Sequence, residues 1–242
     1  MKRVITILMV LCVSVALFAA AGASVKVGGA FNFVFGGTKD FVESGATEPT
    51  LETASQYKSS GVGFDVAGTF DISKELKAWA DFNMVFGFDA KFKYKNDDEW
   101  ASMKDMYEEM KELAGDKAYK KLNMISAGAG VAYKLNLDAP VDISVGGGVF
   151  FERVFGKVGV KIDEQEMYME FKAINLGVSL YADAAYKFSD NFGISLTAMP
   201  HFGVYNSSTL SEKMGPEAFE ANAKGFSFSF SMPVSIGATY SF

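Results

Sequence analysis

The sequence predicts an all-β protein: an antiparallel eight-stranded transmembrane β-barrel with long extracellular loops, one of which contains a helix. Three observations support this prediction. Apolar residues recur at every second position, the gaps between these runs alternate between short and long, and one face of the runs carries no charge. Alternation with a period of two indicates strands with one apolar face. Short turns alternating with long loops are typical of outer-membrane barrels.

The first 23 residues have the pattern of a cleaved secretory signal. Lys2 and Arg3 are followed by an apolar or small stretch from Val4 to Phe18, and small residues then precede Ser24. This arrangement is that of a signal peptide, and the apolar stretch is short for a membrane-spanning helix. We therefore predict a signal peptide over residues 1–23 and a barrel over residues 24–242.

Eight runs of alternating apolar residues are predicted to be strands. The final run, from Phe226 to Phe242, is the clearest, because every even position is apolar and every odd position is Ser, Thr, Gly or Pro. The predicted strands span residues 24–36, 59–72, 76–92, 124–137, 141–154, 170–188, 192–205 and 226–242.

The gaps between these strands are of two kinds. Three of them are turns of three residues, at 73–75, 138–140 and 189–191, built from residues that favour turns. The other four are long segments, at 37–58, 93–123, 155–169 and 206–225. We expect the short turns on one rim of the barrel and the long segments, as loops, on the other.

The composition of the two faces indicates that the apolar face meets lipid. In the half of each strand nearest the short turns, the apolar-face positions include no Asp, Glu, Lys, Arg, Ser, Thr, Asn or Gln. A bilayer imposes such a rule, since Arg or Lys facing hydrocarbon at mid-depth costs about 2 to 4 kcal/mol. A soluble barrel with its apolar face inward also alternates, but the numerous phenylalanines exceed the space inside eight strands.

At its C-terminal run the sequence resembles a known protein class. Bacterial outer-membrane barrels end in an aromatic residue preceded by alternating apolar residues, and the matching positions here are Val234, Ile236, Ala238, Tyr240 and Phe242. Together with the signal peptide and the loop pattern, the chain resembles the small eight-stranded group typified by OmpX, OmpW and the OmpA membrane domain. The resemblance implies location in the bacterial outer membrane, with outer-membrane lipid and the barrel-assembly machinery as partners.

Polar residues on the opposite face are predicted to form a network in the barrel lumen, as is ordinary for a closed barrel. The 73–75 turn should place Asp71 across from Lys77 and Asp65 across from Asn83. Three carboxylates, Asp65, Asp81 and Asp183, are expected at mid-height, where they would favour cations in any current. The predicted lumen network comprises Asp65, Asp71, Lys77, Asp81, Asn83, Asp183 and His201.

The single histidine, His201, is expected to be a hydrogen-bonded residue of the interior. It lies on the inward face, and no Ser follows it at the His-x-Ser spacing of a hydrolase site. A catalytic role is the weaker alternative. We therefore expect a protein that is not an enzyme.

Within the second long segment, over residues 96–121, the period changes to 3.6 and predicts an extracellular helix. Its apolar stripe would seal the barrel mouth, lie at the outer leaflet or bind a partner, and sealing is the simplest of these. The stripe consists of Trp100, Met103, Tyr107, Met110 and Leu113.

Two functions fit this sequence. The first is a non-catalytic barrel that displays surface loops for interaction or supports the membrane. The second is a narrow channel or transporter for small solutes or hydrophobic compounds, with a path near Pro200 and Pro233 as one route. The net charge of -6 and the absence of a basic run argue against nucleic-acid binding. The single cysteine argues against zinc clusters and disulfide frameworks, and we expect no metal or cofactor.

Overall fold

The structure of the protein is a computed structural model. It describes residues 22–38, 42–43, 55–93, 99–135, 141–162, 165–214, 217–225 and 228–242. The predicted signal peptide lies almost entirely outside the described residues, as do the 136–140 turn and most of the 37–58 segment.

Strands make up nearly all of the described chain. One helix, α1, spans Met103–Ala114 and is followed by a 3-10 turn at Gly115–Lys117. The strands, in chain order, are β1 (Ala23–Thr38), β2 (Val42–Glu43), β3 (Ser55–Asp71), β4 (Leu76–Lys93), β5 (Ala101–Ser102), β6 (Ala118–Leu135), β7 (Val141–Ile162), β8 (Gln165–Lys187), β9 (Phe192–Ala198), β10 (His201–Met214), β11 (Glu217–Gly225), β12 (Ser229–Ser231) and β13 (Val234–Ser241).

The strand pairings return to their starting point, as the predicted eight-stranded barrel requires. Around the half nearest the short turns, the order of neighbours is β1, β3, β4, β6, β7, β8, β9 and β13, all antiparallel. The last strand then pairs with the first, from Ser24 opposite Ser241 to Phe31 opposite Val234. In the other half, β10 and β12 continue the walls of β9 and β13.

Pro200 and Pro233 interrupt the seventh and eighth wall strands at neighbouring positions. Proline has no N–H, so each interruption removes a ladder bond. Backbone bonds bridge the gap on both sides: Leu180 N–H donates to the Pro200 carbonyl at 2.9 Å, and Met199 N–H donates to the Pro233 carbonyl at 2.9 Å. The sheet therefore stays continuous across the two prolines.

The outward and inward faces follow the predicted parity. The side chains of Val131, Val149 and Leu196 are 46%, 65% and 51% exposed, whereas inward residues such as Asp65 are buried. An apolar band therefore surrounds the barrel above the short-turn rim. In the part of the chain that the structure describes, no helix is long and apolar enough to cross a bilayer.

Two predicted loops are wrong, because residues 155–162 and 165–169 belong to the long hairpin of β7 and β8, and residues 206–214 and 217–225 belong to the hairpin of β10 and β11. The walls thus continue well past the apolar band. Beyond the bilayer an outward side chain meets water, so charged residues replace the apolar ones and the alternation that identifies a strand disappears.

Two register shifts change which face some residues occupy. One lies in the pairing of β3 with β4, between Ser60 and Val62, and the other lies in β10 between Gly203 and Tyr205. After the second shift, Tyr205 is opposite the exposed Leu176, so it shares the outward face. A bulge inserts an extra residue and reverses the parity beyond it, which simple alternation does not reveal.

Helix α1 lies within the predicted helical segment and begins at a well-formed cap. The Ser102 hydroxyl accepts a hydrogen bond from Asp105 N–H at 3.1 Å and donates one to Asp89 Oδ1 of β4 at 2.9 Å. A capping serine satisfies one free N–H of the first turn. The cap therefore also fastens the start of the helix to the barrel wall.

The assignment of faces predicts that charge is tolerated differently along the same wall. Val131→Arg and Leu196→Arg place a cation in hydrocarbon and should lower the free energy of unfolding by about 2 to 4 kcal/mol. Ile162→Arg, the matched control beside the β7–β8 turn, should have a small effect. Reversible urea unfolding in lipid vesicles measures all three.

Ser235→Arg tests the other face. Ser235 is buried in the lumen, so an arginine there should destabilise the barrel through overpacking. Equal tolerance of arginine at positions 131, 196 and 235 would show that the faces are assigned wrongly.

Candidate functional site: the barrel interior

A network of buried charges closes the half of the interior nearest the short turns. Lys26 Nζ of β1 lies 2.8 Å from Asp65 Oδ2 of β3 and donates to Thr197 Oγ1 at 2.7 Å and Ser235 Oγ at 2.6 Å. Thr197 Oγ1 in turn donates to Asp183 Oδ1 at 2.8 Å. Alternating side chains from separate walls thus meet at one point, and each is buried.

The predicted register is present, but the lysine and aspartate side chains form ion pairs with other residues. Asp71 is opposite Lys77 and Asp65 opposite Asn83 in the register, as expected. The Lys77 ammonium, however, reaches across the lumen to Asp183 Oδ2 at 3.3 Å, and Asp71 pairs with Lys134 at 2.9 Å. A lysine side chain is long enough to cross much of a narrow barrel. Lys77 therefore pairs with Asp183 on the far wall and not with Asp71, which is opposite it in the sheet.

Of the three mid-height carboxylates, two have a basic partner. Asp65 pairs with Lys26 and Asp183 with Lys77, whereas Asp81 pairs with no Lys or Arg among the described residues. Asp81 is 6% exposed and lies beside the buried Asn83, Ser126 and Trp79. Asp81 is thus the one of these three carboxylates without a basic partner in the described part of the chain.

Aromatic side chains fill the space beside this network. Trp79 and Tyr181 stack with ring centroids 4.8 Å apart, and Ala132 and Met199 complete the same cluster. His201 is fully buried, with its ring stacked on Phe150 at 4.2 Å and its Nδ1 3.2 Å from Ser231 Oγ. His201 is therefore an interior residue, as predicted, and the surrounding wall keeps it away from solvent.

A second polar layer lies farther from the short turns. The Tyr57 hydroxyl donates to Asn175 Oδ1 at 2.9 Å, and Asn175 Nδ2 donates to Glu152 Oε1 at 2.8 Å. Asn206 Nδ2 donates to the Tyr57 hydroxyl at 3.0 Å. Glu152 is fully buried and pairs with no basic residue among the described residues. Neutral donors thus hold the carboxylate in place.

Tyr57, Glu152, Asn175 and Asn206 of this second layer are absent from the predicted lumen network. Glu152 lies at an inward position of the fifth predicted strand, so the alternation alone could have assigned it to the lumen. Asn206 stood in a predicted loop, and the bulge after Gly203 brings it to the inward face. Tyr57 also stood in a predicted loop, at 37–58, and β3 begins before it, at Ser55. Asn175 belongs to a predicted strand whose alternation does not distinguish a network member from an ordinary interior residue.

An apolar cap closes the interior beyond the second polar layer. Met103, the first residue of α1, is fully buried among side chains from β1, β3, β4, β6, β7, β8 and β10. Its sulfur occupies the space beside Gly156 of β7, where a side chain would collide with it. The cap consists of Val34, Tyr57, Val85, Ala90, Met103, Leu122, Met124, Val154, Val158, Phe171, Ala173 and Leu210.

The residues of the predicted helix stripe differ in burial along α1. Met103 is buried in the cap and Tyr107 packs against it, but Leu113 is 89% exposed. Met110 is half-buried, and Trp100 lies before the helix with Lys58 Nζ 4.0 Å from its ring centre. The first turns of α1 therefore pack on the apolar cap, whereas its last turn exposes Leu113.

A cavity of about 680 Å³ lies at the short-turn rim. Exposed turn residues such as Lys74 and Asp190 surround it, and Lys26, Lys77 and Asp183 form its inner end. The cavity therefore stops at the charged network and leads no farther.

The C-terminal residues of the predicted assembly signal face outward on the closing strand. Ile236, Tyr240 and Phe242 are exposed, with Tyr240 in edge-to-face contact with Phe242 at 4.9 Å. Phe242 N–H donates to the Ala23 carbonyl at 3.0 Å. Val234 and Ala238 share this face, so the five residues form one apolar stripe beside the seam.

Past the apolar band, the ion pair of Lys157 and Glu166 affects the pKa of the glutamate. Tyr119 donates a hydrogen bond to Glu166 Oε1, and Lys157 Nζ lies 3.0 Å from the same oxygen. The Tyr119 hydrogen bond and then the Lys157 hydrogen bond lower the pKa of Glu166. Among the described residues, no three His, Cys, Asp or Glu side chains form a group that could hold a metal ion.

Comparison with known sequences gives one match to a family. The model of the family described as "Domain of unknown function (DUF2715)" matches residues 19–242. No curated protein matches the sequence.

Comparison with solved structures supports the fold. The outer membrane protein OprG from Pseudomonas aeruginosa is 11% identical, with a TM-score of 0.54 over 92% of this chain and 96% of that one. A major outer membrane protein from Thermus thermophilus is 14% identical, with a TM-score of 0.50 over 88% of this chain and 99% of that one. The chain therefore shares the β-barrel fold of these two outer membrane proteins.

The ion pair of Lys26 and Asp65 predicts that the effects of mutating these two residues on the free energy of unfolding are coupled. Lys26→Met leaves the Asp65 carboxylate buried without its cation and should lower the free energy of unfolding by roughly 3 to 5 kcal/mol. The double variant Lys26→Met/Asp65→Leu should recover most of that loss. Urea unfolding of the two single variants and the double variant gives the coupling, and a coupling near zero would contradict the pairing.

Proposed function

The chain belongs to the DUF2715 family, and we propose that it is a non-catalytic, closed outer-membrane barrel that displays its protruding hairpins and α1 at the cell surface. The carrying observation is the filled interior, with a charged network at one end and an apolar cap at the other. A wall of eight strands leaves room for side chains and little more. A barrel closed in this way acts through its outer surface.

The geometry of the interior supports a role without catalysis. Ser231 lies beside His201, but both are buried inside the wall and out of reach of a substrate. A general base must come within hydrogen-bond distance of the proton that it removes. The Ser231 hydroxyl and His201 Nδ1 are instead hydrogen-bond partners of each other within the wall.

The protruding hairpins provide the surface for display. The β7–β8 hairpin extends about ten residues past the apolar band, and β10 and β11 form a second hairpin that also pairs with β2. Rigid strands hold exposed residues in fixed positions, which is an advantage for recognition. The surface partner of these hairpins would be an extracellular molecule.

The alternative is a narrow channel or a transporter of hydrophobic compounds, and one observation favours it. Pro200 and Pro233 each remove a ladder bond, and they lie at neighbouring positions of adjacent strands. The small hydrophobic compound would pass through the wall there. Its flux into liposomes should fall when Pro200→Ala and Pro233→Ala restore the N–H groups, whereas a display barrel gives no flux in either protein.

The proposed function predicts that the protein conducts poorly. In planar bilayers the wild type should show no large stable current, because the cap and the charged network each obstruct the lumen. Any brief opening should favour cations, and Asp81→Asn should remove that preference. Asp142→Asn, at the rim beside Lys187, is the matched control and should leave it unchanged.

Two results would contradict this prediction. A large, stable current through the wild type would mean that the interior opens in the membrane. Selectivity for anions would mean that Lys26 and Lys77, rather than Asp81, control the field in the lumen.

A further inference from the structure

The outward face of two neighbouring strands changes from apolar to basic at one height. On β7 the outward residues are apolar up to Phe151, and the next outward residue is Arg153. On β8 they are apolar from Leu180 to Ile174, and the next is Lys172. Adjacent residues of a strand face opposite sides of the sheet. The residues on either side of Arg153 and Lys172 are buried in the interior, so both cations face outward.

The height of this change matches the edge of the hydrocarbon. A transmembrane strand needs about 9 to 11 residues to cross the bilayer core. The outward positions of β7 from Ile143 to Phe151 lie within one such span above the short-turn rim. Arg153 therefore lies where the bilayer core ends and the headgroups of the outer leaflet begin.

The two cations share one aromatic ring. The Arg153 guanidinium is 5.8 Å and the Lys172 ammonium 6.0 Å from the ring centre of Phe155. Phe155 follows Arg153 by two residues on β7 and is directly opposite Lys172 of β8. Arg153 is exposed and the Lys172 side chain is 43% exposed. The ring holds both cations at the outward surface of the wall.

The next row of residues adds two more lysines. Lys121 of β6 is directly opposite Lys157 of β7, an arrangement of like charges that destabilises a sheet unless something compensates it. Glu166 pairs with Lys157 and Glu170 with Lys172, whereas no carboxylate pairs with Arg153 or Lys121 among the described residues. Four cations thus face two carboxylates, in a chain whose net charge is -6.

We propose that Arg153, Lys172, Lys121 and Lys157 form a binding site for the phosphate groups of anionic lipids in the outer leaflet. A guanidinium binds two phosphate oxygens at once, and an ammonium adds a point charge. The lipid chains would lie against the apolar band directly below, beside Val149 and Phe151. The site goes beyond the proposed display function, because it concerns the membrane around the barrel.

Lipid retention in native mass spectrometry tests the site. Wild-type protein in micelles containing equal amounts of phosphatidylglycerol and phosphatidylcholine should retain phosphatidylglycerol in preference. Arg153→Gln/Lys172→Gln should reduce that preference by at least about fivefold, since each cation near an anionic surface contributes roughly that factor. Lys104→Gln/Lys111→Gln, on the exposed side of α1, makes the same change of charge and should leave the preference intact.

Two further arms separate charge from folding and lipid from free anion. Arg153→Lys/Lys172→Arg keeps the charge and should keep the preference, and heat-modifiable migration on a gel confirms that each variant is folded. Added inorganic phosphate should compete only weakly, because it lacks the chains that lie on the apolar band. An unchanged lipid preference in Arg153→Gln/Lys172→Gln, or complete displacement of lipid by phosphate, would overturn the proposal.

Discussion

The need to satisfy every backbone N–H and C=O inside hydrocarbon governs this molecule, because lipid offers no hydrogen-bond partner. The pairing of β13 with β1 meets that need by removing the sheet's edges. The two prolines show how strictly the rule holds. Pro200 has no N–H for the Leu180 carbonyl opposite it, and the Ser179 hydroxyl donates to that carbonyl at 3.0 Å instead.

Closure of the wall determines what the interior can contain. A ring of eight strands turns every second side chain into a narrow space, where a polar group must find a partner among the others. Lys26 does so by bonding to three walls at once, and the Tyr57, Asn175 and Glu152 chain does so with neutral donors. An interior committed to such bonds has little space for a path, which is why the outer surface carries the proposed functions.

The walls also extend farther than the membrane requires. The hydrogen-bond ladder of β7 and β8 continues to Ile162 opposite Gln165, long after the outward residues stop being apolar. The backbone hydrogen bonds pair the two strands along their whole length. The polarity of the outward side chains changes with distance from the short-turn rim, because they contact first hydrocarbon and then water. The same hairpin therefore presents hydrocarbon contacts low down, cations at the headgroup level and a polar surface beyond, and α1 closes the lumen between these extensions.

The sequence by itself determined the strands that cross the bilayer, the parity of their faces and the turns on one rim. The reason is that hydrocarbon excludes charge at every outward position there, so Val131, Val149 and Leu196 carry the signal independently of their neighbours. Only the tertiary structure decided the rest. Lys77 pairs with Asp183 because the two side chains are close across the lumen. Asn206 faces inward because of the bulge after Gly203, and Leu113 is exposed because only the first turns of α1 pack on the apolar cap. Each of these features depends on contacts between distant parts of the chain, and the alternation of residues along one strand does not predict such contacts.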